Sequence, residues 1–159
     1  MTKRLEVQIV ETSVRAVAEL LEAEAPKTCA ALWQVLEKPV ETNGVHAMWS
    51  GREVMAYIPE ENRGNVDAAA VGIENATVYP AAGDVVWAFF PGGMIQGFKE
   101  DGWDLAFIYG PETRIYIPLG MCPMNVWARI VEGLEPLAAE LGQIRFGVRK
   151  TLRIRRLTR

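Results

Sequence analysis

Ala25-Pro26-Lys27-Thr28-Cys29-Ala30-Ala31-Leu32-Trp33-Gln34-Val35-Leu36 is the stretch that decides the fold, because it is the clearest helix in a chain that otherwise alternates like strand. Pro26 suits the first helical turn, where its missing N–H would have no partner. Cys29, Leu32, Trp33 and Leu36 recur at i, i+3, i+4 and i+7 and make one apolar face. Lys27, Thr28, Gln34 and Glu37 lie mostly off that face, and Pro39 stops the run. A lone early helix among strands predicts a sheet closed on itself, with the helix plugging or covering it.

Upstream, Leu5, Val7 and Ile9 alternate with Glu6, Gln8 and Val10, which predicts a strand with one inner face. Val14–Leu21 fits strand and helix periodicity equally well. The short turn at Glu11–Ser13 favours a hairpin, so a strand is expected there. Downstream, Asn43-Gly44 signals a turn. Val45, Ala47 and Trp49 alternate with His46, Met48 and Ser50, and Ser50-Gly51 turns the chain back into Arg52–Ile58, closed by Pro59. Glu60–Gly72 reads as a loop with a helical turn. Strands are expected at Ala76–Tyr79, Val85–Phe90, Leu105–Tyr109 and Arg114–Ile117; Val85–Phe90 and Leu105–Tyr109 are apolar on both faces, as strands covered on both sides are.

A second helix is predicted from an N-cap at Asn125 to Leu141, with Trp127, Ile130, Val131, Leu134, Leu137 and Leu141 as its stripe, a kink at Pro136 and a stop at Gly142. The tail alternates, with Ile144, Phe146, Val148, Leu152 and Ile154 opposite Arg145, Arg149, Arg153 and Arg155. That arginine row is expected to be a solvated or intersubunit edge. No repeat, low-complexity tract or linker divides the chain, and one domain over residues 1–159 is expected.

Composition narrows the function classes. The chain has 159 residues, is 50% hydrophobic and 23% charged, and carries a net charge of −3. An acidic balance argues against nucleic acid, whose binding rests on Lys and Arg neutralising phosphates. No apolar run approaches the ~20 residues of a membrane helix, and the basic but interrupted N-terminus is no signal peptide. Two cysteines cannot make a disulfide framework, so a reduced, cytoplasmic setting is expected. Cys29 should be buried by its helix face, and Cys122, between Gly120 and Pro123, should be the more reactive thiol. One histidine and two separated cysteines make a metal site improbable. No cofactor is expected.

The order of elements resembles the cyclophilin-like barrel, and the closest likeness is to an uncharacterised bacterial family, domain of unknown function 3830. The motifs that carry it are Ala25-Pro26-Lys27-Thr28, His46-Ala47-Met48-Trp49-Ser50-Gly51, Glu74-Asn75, Pro80, Gly83-Asp84 and Tyr109-Gly110. The resemblance implies a mainly β fold, a closed barrel of about eight strands with two covering helices. It implies little about activity.

Pro91-Gly92-Gly93-Met94-Ile95-Gln96-Gly97 looks like the active-site segment of true proline isomerases. Those enzymes have an Arg eight residues before the Gln and a Phe three before it. Here the positions hold Ala88 and Gly93, so the string is read as a Gly-rich hairpin tip.

The remaining candidates centre on the only histidine. His46, Trp49 and Arg52 place an imidazole, an indole and a guanidinium within one hairpin. With Glu74, Asn75 and Tyr109 they form the expected ligand-binding set, at the barrel mouth between the His46–Pro59 hairpin and the Glu74–Tyr79 strand. Because strand alternation separates His46 from Trp49, a bend near Ser50 is required to serve one site. Glu60, Glu61, Glu74 and Asp84 could form an acidic site, though turn acids usually cap nearby amides. The expected function is binding of a small polar metabolite without isomerase activity. The alternatives are a proline isomerase, or a non-catalytic interaction protein acting as a homo-oligomer.

Overall fold

The computed structural model describes residues 2–157. Its strands in chain order are β1 (Arg4–Ile9), β2 (Arg15–Leu20), β3 (Val40–Asn43), β4 (Val45–His46), β5 (Glu53–Tyr57), β6 (Ala76–Thr77), β7 (Asp84–Phe90), β8 (Gly102–Ile108), β9 (Tyr116–Ile117), β10 (Gly120–Met121), β11 (Met124–Glu132) and β12 (Thr151–Arg156). The helices are α1 (Pro26–Val35), α2 (Glu60–Arg63), α3 (Ala68–Val71) and α4 (Leu134–Ile144). Nine strands follow one another in the order β3-β12-β1-β2-β11-β7-β8-β5-β4, β6 adds to β11, and every pairing is antiparallel. Gly44 alone separates β3 from β4, so the two edges of this sheet are joined and the sheet rolls into a nearly closed barrel. A Cβ at Gly44 would meet the ends of Ile144 and Leu152 at 2.8 Å and Val54 at 3.1 Å, which is why the seam carries glycine.

The hairpin of β1 and β2 forms where alternation and turn agree. Small Ala16 and Ala18 lie opposite Val7 and Leu5 in the ladder, so large side chains of one strand face small ones of the next. Helix α1 has the predicted Pro26 in its first turn but no side-chain cap from Ala25. Thr28, Cys29, Leu32, Val35 and Leu36 are buried, whereas Trp33 is half-buried, with the Arg156 guanidinium 4.7 Å from its ring centre. Its face is therefore turned slightly from the one predicted. The Cys29 thiol, as expected, is buried; it donates to the Trp127 carbonyl at 3.2 Å, and burial pushes its pKa up to about 12.

The second predicted helix is corrected. Met124–Glu132 is the longest strand, and Asn125 is a buried residue in it rather than an N-cap. Met124, Val126, Trp127, Ala128 and Ile130 are all buried, so this strand is covered on both faces, and its near-continuous apolar run imitates a helical stripe. Gly133, left-handed at φ +78, ends it and starts α4. Pro136 falls in the first turn of α4, where it breaks no backbone bond, and the helix passes through Gly142 to Ile144. Leu137 and Leu141 are fully buried in the barrel core.

Three further expectations change. Val40–Asn43 is a strand that the Asn43-Gly44 turn signal concealed. Glu60–Gly72 holds two short helices, giving four among the described residues instead of two. The alternating tail is strand only from Thr151: Ile144 ends α4, and Phe146 is 84% exposed. Strand β12 is not an edge, because it lies between β3 and β1. Its Arg153 and Arg155 donate to Glu41 at 2.8 Å and to Glu6 at 2.9 Å.

Candidate functional site

The site is built on the outer wall of the barrel by strand alternation. Along β5, Val54 and Ala56 point into the core and Glu53, Met55 and Tyr57 point out; along β8, Trp103, Leu105 and Phe107 point in and Asp104, Ala106 and Ile108 point out. Register then sets Asp104 opposite Tyr57 and Glu53 opposite Ile108 on the same outward face. Loops cover that face. The Ile115–Pro118 segment, the bend after β4 and the tip after β7 enclose a cavity of about 450 Å³, bordered by Trp49, Ser50, Phe90, Ile95, Phe98 and Met124 among others.

Two buried acids, Glu53 and Asp104, and the exposed Glu100 border this mostly apolar space. Asp104 is 5% exposed, and its Oδ1 has no hydrogen-bond partner among the described residues. Burial, with the Glu53 charge adding to it, holds its carboxyl well above the usual carboxylate range. Glu53 is also raised by burial, opposed by a hydrogen bond from Ser50. Tyr57 separates from Glu53 by four residues, about 13 Å of extended chain, so the acids sit toward opposite ends of the outward row. They share no hydrogen bond. Burial and both carboxylates push the Tyr57 hydroxyl up to about 12, and its O–H donates to Met55 Sδ at 3.5 Å. Burial and the same two acids also raise the Cys122 thiol, which therefore lacks the electropositive setting a nucleophile needs.

The sequence-predicted residues separate into three places. Trp49 borders the cavity, because the strand stops at His46 and the following bend re-aims the indole. His46 borders it too, but it pairs with inward-facing Val54, and its ring turns to Tyr109. His46 Nδ1 donates to the Ala47 carbonyl at 2.8 Å, which in the neutral ring leaves Nε2 to accept the Tyr109 hydroxyl at 2.7 Å. Tyr109 is raised by burial against the opposing charges of Arg145 and Arg52. Arg52 is exposed and lies over Gly110, outside the cavity lining.

Glu74 and Asn75 are elsewhere, and their role is architectural. The Glu74 carboxylate accepts from the Thr28 N–H, supplying the cap that Ala25 cannot give α1. Asn75, at φ +47, donates to the Val126 carbonyl at 2.8 Å. Asn125 joins them, accepting from Glu74 N–H at 3.1 Å and donating to Thr28 Oγ1 at 3.0 Å. Glu74 and Asn75 thus lie outside the lining of the outer-wall cavity, apart from His46 and Trp49. Of the other acids, Asp84 accepts from Arg129 at 2.9 Å and from the Ala81 N–H at 2.8 Å, and neither Glu60 nor Glu61 borders the cavity. No group of three or more metal-ligating side chains occurs among the described residues.

Alternation gives a partial signal for the missed residues. Glu53 and Asp104 are the acids inside strands otherwise fit for burial on both sides, an arrangement that is costly unless the group has work to do.

The family described as protein of unknown function (DUF3830) matches residues 7–154. The chain belongs to that family. No curated protein matches it. Among solved structures, McbB in complex with tryptophan is similar with TM-score 0.64 and 19% identity over 95% of this chain, which spans 44% of the McbB chain. The hypothetical protein AF2241 from Archaeoglobus fulgidus has TM-score 0.53 and 20% identity, covering 98% of this chain and 95% of its own. The Mimivirus cyclophilin has TM-score 0.53 and 12% identity over 97% of this chain and 87% of its own. At these identities the likeness is one of fold: the DUF3830 chain has a cyclophilin-like, nearly closed β-barrel.

Proposed function

We propose that this protein binds a small organic molecule in the cavity on the outer wall of β5 and β8. The observation that carries the reading is a buried carboxyl oxygen of Asp104, without a partner among the described residues, beside a mostly apolar space of about 450 Å³. Ligand pockets have that construction: apolar lining, one or two placed polar groups, and a volume of roughly 300–1,000 Å³. The McbB structure adds support, because that protein, 44% of whose chain this one covers, was solved in complex with a small organic molecule, tryptophan.

Proline isomerisation is the weaker reading. Ala88 and Gly93 stand where a guanidinium and an aromatic wall would be needed, and Gln96 is exposed and outside the cavity lining. Two free cysteines, Cys29 and Cys122, fit work in the reducing cytoplasm.

The test is a ligand-observed NMR fragment screen on the protein and on Met55→Trp, which fills the cavity floor. Fragments should bind the parent chain and lose binding to the variant, while a protease-coupled assay shows no acceleration of proline isomerisation. Fragment binding unaffected by Met55→Trp, or isomerase activity lost in Gln96→Ala, overturns the reading.

A further inference from the structure

We infer that the cavity selects an organic ammonium ion, an apolar body carrying a protonated amine, with Asp104 as its anchor. This rests on the small-molecule reading above and narrows it to one charge class. Three observations converge. Asp104 is 5% exposed and presents an Oδ1 that no group of the described chain satisfies. Buried polar groups in folded proteins are nearly always paired, with protein or ordered water, so Oδ1 is an acceptor open to a donor from outside the chain. The carboxyl groups bordering the cavity are those of Glu53, Glu100 and Asp104, with no Lys or Arg among the lining residues, so an anionic ligand would find no cation to pair with. Finally, Tyr57, Trp49, Phe90 and Phe98 line the walls, and aromatic faces attract a cation while repelling nothing apolar.

Proton balance follows from the same geometry. In the free protein, burial favours the neutral Asp104 carboxyl, and the groups that feel its charge are Glu53 and Tyr57 from β5 and Cys122 after β10. An ammonium ion that docks on Asp104 stabilises the carboxylate instead. The carboxyl proton leaves to solvent as the cation enters, and the ammonium keeps its own. Binding should therefore tighten as pH rises through the raised range of Asp104.

The test uses three ligands of matched shape: 2-phenylethylamine, 2-phenylethanol and 3-phenylpropanoate. Titration calorimetry near neutral pH, in two buffers of different ionisation enthalpy, reads affinity and proton release together. The amine should bind about tenfold more tightly than the alcohol, or better, with proton release, and the acid should not bind. Asp104→Asn, which keeps the shape, should weaken the amine by about tenfold and leave the alcohol unchanged. Its melting temperature verifies that it folds, and the three-ligand comparison on the parent chain stands without it. Alcohol binding as tight as the amine, or an amine indifferent to Asp104→Asn, overturns the ammonium inference and leaves the cavity reading intact. If none of the three binds while other fragments do, the ammonium class is wrong; if no fragment binds either, both fall.

Discussion

Strands β5 and β8 show two faces that obey different rules. On the inner face Val54, Ala56, Leu105 and Phe107 are at most 2% exposed, and they pack into one apolar cluster with α1 and α4. The unpartnered buried polar atoms on that side are the neutral indole N–H groups of Trp87 and Trp127. On the outer face the same two strands carry Glu53, Tyr57 and Asp104, buried or half-buried without matching cations. The contrast separates what holds the barrel from what the barrel offers. Apolar contact is indifferent to its partner and accumulates; a dry carboxyl opposes folding until something binds it.

The sharpest way to break this comparison is to truncate both faces. Phe107→Ala should cost about 3–5 kcal/mol in urea unfolding, whereas Met55→Ala, beside open volume, should cost less than about 1 kcal/mol. Equal losses would mean that the outer face is core as well.

Next in size is Gly133→Ala, at the turn that lets β11 pass into α4. An alanine there would be left-handed, with its Cβ 2.5 Å from the Arg15 carbonyl oxygen, so a loss of about 1–3 kcal/mol is expected. Thermal unfolding measures it.

Asp104→Asn should move stability the other way. Its carboxyl titrates higher in the folded chain than in the unfolded one. Between the two pKa values the folded state holds more protons, so stability falls as pH rises from the usual carboxylate range upward. The substitution should flatten that slope and raise stability at neutral pH by about 1 kcal/mol, the low end for a buried unsatisfied group. A parent curve that climbs over this window would contradict the neutral carboxyl.

The smallest effect belongs to Arg52→Ala. The guanidinium is exposed and outside the cavity, so stability should shift by less than about 0.5 kcal/mol, and fragment affinity should not move. A large loss of binding would return the site to the hairpin end.

The barrel was legible where one face of an element is apolar and the other is not. Arg15–Leu20 pairs as predicted, and Pro26 marks the start of α1 within a residue of its expected place. It was illegible where burial is two-sided, since β11 offers no period to read, and where a strand is short enough to resemble a turn, as β3 does. The site was legible only in part. Trp49 stands out as a large ring beside a glycine turn, but which acid is dry depends on the loops folded over it. Glu74 looked like a ligand group and is a cap supplied from 46 residues away.

The seam at Gly44 has a bearing on how the molecule behaves in a crowd. An open sheet exposes unpaired N–H and C=O groups along both borders, which other chains can extend into fibres. Here both borders come from one short stretch, four residues of β3 and two of β4, which runs on through Gly44 and pairs with β12 at one end and β5 at the other. The border this sheet leaves to a foreign strand is thus short and interrupted at the crowded Gly44. Resistance to edge-to-edge aggregation is thus a property of connectivity, and it does not depend on the side chains of the outer wall.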